Sequence, residues 1–175
     1  MIEQALALEF GRAGNAGNYL GDGWSDGEDG FRWMVGASSD LWLEHSAGTA
    51  DGILELDLHP FVRSPELPAQ RLALAVRGVT IGQLQLSSGG VLGWRVPPAL
   101  LAGPGPVRVT LHHPDARRPN ELSETSDNRP LAISVRTARL LRLAASREPP
   151  ARVSAPARGP RCAPASCAVG RRARA

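Results

Sequence analysis

The side chains in this sequence best suited to recognition chemistry are four tryptophans, Trp24, Trp33, Trp42 and Trp94. An indole presents a flat apolar face on which the C–H face of a sugar ring can stack, while neighbouring Asp, Glu, Asn or Arg side chains bond the hydroxyls. Trp24 sits in a Gly- and Asp-rich stretch, residues 21–30, and is the tryptophan expected at the surface. Trp33 and Trp42 fall inside alternating segments and are expected in the core, because tryptophan is highly buried on average and sandwiches often carry one at their centre. Glu28, Arg32, Asp127 and Arg129 form a polar set that would bond hydroxyls beside such a ring. The same four residues also suit plain surface ion pairs, which contribute little.

Three further constellations raise other chemistries. Asp22, Asp26, Glu28 and Asp29 crowd into eight residues. Hard oxygen ligands at that density suit calcium, which takes six to eight of them, with Asp22, Asp26 and Asp29 as the candidate ligands. The spacing is not that of an EF-hand loop, and a solvated turn whose Asp side chains bond their own backbone is the competing reading. Gly23-Trp24-Ser25-Asp26-Gly27 matches the G-x-S-x-G pattern of a serine hydrolase. That elbow needs a helix after the serine, whereas here turn residues follow, and His45, His59, His112 and His113 supply no base in a recognisable context. Ser25 is therefore not expected to be a nucleophile. His112 and His113 are adjacent, and on a strand they point to opposite faces, which disfavours a shared metal ion.

The elements that would position these residues have a period of two. Ile53-Leu54-Glu55-Leu56-Asp57-Leu58 alternates apolar and acidic, as a strand with one buried face does. Residues 71–77 repeat the pattern, and Arg77-Gly78 turns the chain into a hairpin partner over residues 79–86. Residues 107–112 and 131–136 read as further strands, with shorter ones at 5–10, 31–35, 41–44 and 91–96. Gly, Pro, Asp and Ser clusters punctuate the chain between them, the spacing of a sandwich or barrel. Residues 98–102 suit one helical turn; residues 137–145 read as a helix or as the end of the last strand. No βαβ unit appears, which excludes a doubly wound nucleotide-binding fold. The expected class is an all-β, antiparallel, jelly-roll-like β-sandwich over residues 1–143, with no catalytic activity.

Residues 144–175 form a disordered Arg/Pro/Ala-rich tail by composition, with Pro149, Pro150, Pro156, Pro160 and Pro164 spaced against any helix. The formal charge of +3 averages two unlike regions. The tail holds seven arginines against the single acid Glu148, a net of +6, while residues 1–143 hold 13 arginines against 16 acids, a net of −3. A mildly acidic domain has no general pull on phosphate backbones, so nucleic acid is not expected as its partner. Cys162 and Cys167 lie in the tail; two cysteines at that spacing make neither a zinc site nor a CxxC redox motif. No signal peptide is evident and no apolar run reaches the roughly 18 residues of a membrane span, so a cytoplasmic protein is expected.

Three segments together resemble a known type of domain. They are Gly23-Trp24-Ser25 through Glu28 to Arg32-Trp33, then Pro68-Ala69-Gln70-Arg71-Leu72-Ala73-Leu74-Ala75-Val76-Arg77-Gly78, and finally His113-Pro114-Asp115-Ala116 through Pro119-Asn120-Glu121-Leu122 to Asp127-Asn128-Arg129-Pro130-Leu131-Ala132. Their order is similar to that of small alphaproteobacterial β-sandwich domains found alone or beside glycosyltransferases and other cell-surface polysaccharide proteins. The resemblance covers residues 5–143 and implies a jelly-roll-like sandwich similar to carbohydrate-binding modules. It points to Trp24, Glu28, Arg32, Trp33, Asp127 and Arg129 as site residues, and to a carbohydrate or a glycosyltransferase-type protein as partner. Two positions depart from the pattern: Arg77-Gly78 stands for an expected Asn-Gly turn, and Phe31 for an expected tryptophan. The competing reading is a structural or protein-interaction domain, docking a glycosyltransferase or forming a homodimer.

Overall fold

The computed structural model describes residues 2–44 and 51–143. The tail with Cys162 and Cys167, and His45, lie outside the described residues. Within them the chain runs as β1 (Ile2–Glu9), a 3-10 turn (Ala16–Tyr19), β2 (Trp24–Gly27), β3 (Arg32–Val35), β4 (Ser38–Leu43), β5 (Gly52–Pro60), β6 (Gln70–Val76), β7 (Val79–Leu86) and β8 (Gly90–Val96). Then come α1 (Pro98–Leu101), β9 (Val107–His112), α2 (Pro119–Leu122) and β10 (Leu131–Leu143). Each helix is a single turn with proline in its first turn, where the missing N–H is no loss.

The strands form two antiparallel sheets, β2-β3-β10-β5-β8 with β1 also on β10, and β4-β9-β6-β7. This is the all-β sandwich that the period-two sequence calls for. Leu54, Leu56 and Leu58 of β5 face Leu72, Leu74 and Val76 of β6 and Val109 and Leu111 of β9 in one core, each 0–2% exposed. Among the described residues no helix is long and apolar enough to cross a membrane.

Three local readings are decided by the pairing. Residues 137–143 are strand, not helix, because β10 runs on past Val135 to pair with β1 on one side and β5 on the other. Residues 24–27 are strand as well, since β2 and β3 close a hairpin through Glu28 N–H donating to the Phe31 carbonyl at 2.8 Å. Arg77-Gly78 makes the tight two-residue turn without asparagine: Arg77 adopts φ 49° and Gly78 φ 81°, the pair of positive values that suits the strand twist.

The length of β10 creates the feature that matters most for the sites. Its first half pairs with β3 and its second half with β1 on the same side, so β1 and β3 lie end to end along it. Between those halves β10 bulges, at a register shift between Val135 and Ala138. The loops leaving β1 and entering β3 meet there, with Arg12 N–H donating to the Glu28 carbonyl at 2.8 Å.

Candidate functional site

The β2–β3 hairpin brings four of the expected site residues into one region. At its turn, Glu28 Oε1 accepts from Arg129 Nη1 at 2.8 Å, joining positions 101 residues apart. Arg129 also forks onto Asp127, with Nη2 donating to Oδ2 at 2.7 Å and Nε to Oδ1 at 3.0 Å. The Asp127 carboxylate further accepts the Arg129 backbone N–H at 3.0 Å, the short-range turn habit of aspartate. The two acids strengthen Arg129's hold on its proton, Asp127 first and Glu28 second. Arg129 in turn holds the Asp127 carboxyl below the usual carboxylate range. All three side chains keep a quarter to two-fifths of their surface in solvent, so the cluster remains open to a ligand.

Trp33 belongs to the same hairpin: Glu28 N–H bonds the Phe31 carbonyl at its turn, and Phe31 packs against the Trp33 ring. Met34 is the β3 residue in the core, so strand alternation turns Trp33 to the outer face, where it is half-buried. Phe31 packs edge-on against it at 5.8 Å between centroids, and Phe61 does the same at 6.2 Å. The indole is thereby fixed in orientation while one part of its surface stays open. Sequence reasoning missed Phe61, because it follows the end of β5 and carries no periodic signal.

The remaining candidates serve the scaffold. Trp24, expected at the surface, is half-buried: its ring lies 5.1 Å from Phe10 and its indole N–H donates to the Asp40 carbonyl at 2.8 Å. Arg32 Nη1 donates to the Ser25 carbonyl at 3.1 Å, tying β3 to β2. Ser25 Oγ donates to the Asp26 carbonyl at 2.8 Å and accepts the Trp33 N–H at 3.1 Å, and strand rather than helix follows it. Asp22, Asp26 and Asp29 are exposed. Among the described residues no group of three or more His, Cys, Asp or Glu side chains is placed to hold a metal ion. His112 is exposed and His113 fully buried, on opposite faces as strand geometry requires.

Trp42 reverses its expectation too. It lies between the buried Leu41 and Leu43, so alternation sends it outward, 40% exposed, with the Arg108 guanidinium 5.8 Å from its ring centroid. Arg108 Nη2 and Thr110 Oγ1 each donate to Asp40 at 2.7 Å, and Arg108 is the main reason the Asp40 carboxyl stays below its usual range. Only Trp94, 8% exposed, behaves as a core tryptophan.

No family model and no curated protein matches this sequence. Solved structures of similar shape include the C-terminal CBM6 of LamC, a marine laminarinase from Zobellia galactanivorans, at 11% identity and a TM-score of 0.46, covering 78% of this chain and 98% of that one. A family 35 carbohydrate-binding module from an environmental isolate is 15% identical with a TM-score of 0.40, over 79% of this chain and 83% of its own. A CBM36 module in complex with calcium and xylotriose is 11% identical with a TM-score of 0.38, over 80% and 98%. These are likenesses of shape, and function is read from side chains.

Proposed function

We propose that this domain is a non-catalytic carbohydrate-binding module, or a polysaccharide-associated accessory domain, whose ligand stacks on Trp33. The observation that carries this reading is that one hairpin carries an outward, edge-clamped indole on its second strand and, at its turn, the carboxylate of Glu28 bonded to the Arg129 guanidinium that Asp127 also holds. A pyranose face against Trp33 would bury its C–H groups, and its equatorial hydroxyls would meet acceptors on Glu28 and Asp127 and donors on Arg129. Because the polar groups are already paired with one another, they are pre-organised and lose little side-chain entropy on binding. A weak, selective interaction with neutral sugar is the expected outcome. The partner class implied by the sequence resemblance, a glycosyltransferase or other cell-surface polysaccharide protein, belongs to the same proposal.

The test is affinity electrophoresis and calorimetry of the full chain against a panel of neutral polysaccharides. Trp33→Ala should weaken binding at least about tenfold, as loss of a central aromatic anchor does. Arg129→Ala should weaken it comparably, since it leaves Glu28 and Asp127 unpaired. Unchanged affinity in Trp33→Ala would show that the sugar binds elsewhere, and no retention on any glycan would refute the reading.

A further inference from the structure

A second feature lies on the outer face of the same sheet. Where β1 and β3 abut beside the β10 bulge, a cavity of about 470 Å³ opens, lined among others by Arg12, Asp29, Arg136 and Thr137. On the far side of β10 a smaller cavity of about 190 Å³ is lined by Glu55, Asp57, Val91, Thr137 and Arg139. Thr137 borders both, so the two read as one transverse groove crossing from the β1–β3 junction over β10 and β5 to β8. At a strand spacing of about 4.8 Å, those three steps span about 14 Å.

Its lining is ready for a ligand. Arg139 sits directly across from Glu55 on neighbouring strands, yet among the described residues neither this arginine nor Arg12 or Arg136 is ion-paired to a carboxylate. Val91, 64% exposed, offers an apolar surface opposite Asp57. Close backbone contact forms the neck at the junction: a Cβ on Gly11 would stand 2.9 Å from Gly30, and one on Gly27 2.9 Å from Arg12. Side chains at these two positions would push the loops apart.

We infer that this groove takes a run of neutral sugar units, extending the Trp33 platform into an oligosaccharide site. The inference rests on the carbohydrate reading above and adds the ligand's length and charge. Four carboxylates (with Glu9) against three guanidiniums leave the lining nearly neutral, with donors and acceptors interleaved. That pattern matches a hydroxyl-rich, uncharged chain and gives no net attraction for a polyanion. The groove meets the first site at residues 29–31, where Asp29 and Gly30 line it and Phe31 touches Trp33.

The test is a length series of neutral oligosaccharides, laminari- and xylo-, from disaccharide to hexasaccharide, titrated into the full chain by calorimetry. Affinity should rise about tenfold from the disaccharide to the longest member, as linked subsites require. In an Arg139→Ala, Glu55→Gln double variant the gain with length should fall below about twofold, with an unchanged melting temperature reporting an intact fold. A disaccharide that binds as tightly as the hexasaccharide would overturn the groove while leaving the Trp33 platform standing. Length dependence undiminished in the double variant would also overturn it. Absence of binding at every length would overturn both.

Discussion

At Gly23 the backbone turns with φ +85°, and a Cβ there would stand 1.9 Å from the Ser38 carbonyl oxygen. Gly23→Ala therefore meets both left-handed strain and a backbone collision, and should cost about 2–4 kcal/mol of stability, read as a fall in the urea midpoint. The carbonyl of Gly23 accepts from Ser39 Oγ at 2.5 Å, and the same hydroxyl lies 2.9 Å from Nε2 of the fully buried His113. Nδ1 of that ring lies 3.1 Å from the Gly36 carbonyl, which can only accept, so Nδ1 carries the proton. Burial lowers the His113 pKa from 6.5 to about 4. A folded-state pKa below the unfolded one means the unfolded chain binds the proton first as pH falls. The stabilisation is thus fully present above 6.5 and is lost between 6.5 and 4, by roughly 3 kcal/mol at the lower end. Urea unfolding at intervals across that window should show the fall, and His113→Gln should flatten it; a wild type equally stable at both ends would contradict the assignment. None of this network was legible in the sequence. His113 was readable only as pointing to the face opposite His112, because the acceptor it needs sits on a turn 77 residues away.

At the level of elements the sequence was far more open. Strict alternation in residues 53–58 and 71–77 marks buried-face strands, and both are found so. The same alternation would have placed Trp33 and Trp42 correctly had it been weighed above the general tendency of tryptophan to be buried. Each is flanked by a residue that the core takes instead, Met34 in one case and Leu41 and Leu43 in the other. What alternation could not supply is the pairing of β10 with β1, β3 and β5 at once, and hence neither the bulge nor the groove beside it. The β6–β7 turn gives a test at this scale. Gly78 has φ 81° with nothing near its Cβ direction, so Gly78→Ala pays conformational strain alone and should destabilise by about 1 kcal/mol. A melting temperature unchanged in that variant would show that the hairpin tolerates another turn.

For the molecule as a whole, the acidic balance of residues 1–143 and the arginines beyond them predict different binding behaviour. Recognition of neutral glycan by the sandwich should be insensitive to ionic strength, because no net charge drives it. Binding that weakens steeply with salt would assign the interaction to the arginine-rich segment. Pairings such as Glu28 with Arg129, far apart in the chain, are what convert a list of polar residues into a site, and they exist only once β3 has paired with β10. The most direct measurement follows the four indole N–H signals by NMR during titration of the full chain with a neutral oligosaccharide. The Trp33 signal should shift in a saturable way, while those of Trp94, buried in the core, and Trp24, committed to the Asp40 carbonyl, stay in place. Four unmoved signals, or a shift confined to Trp42, would contradict the proposed site.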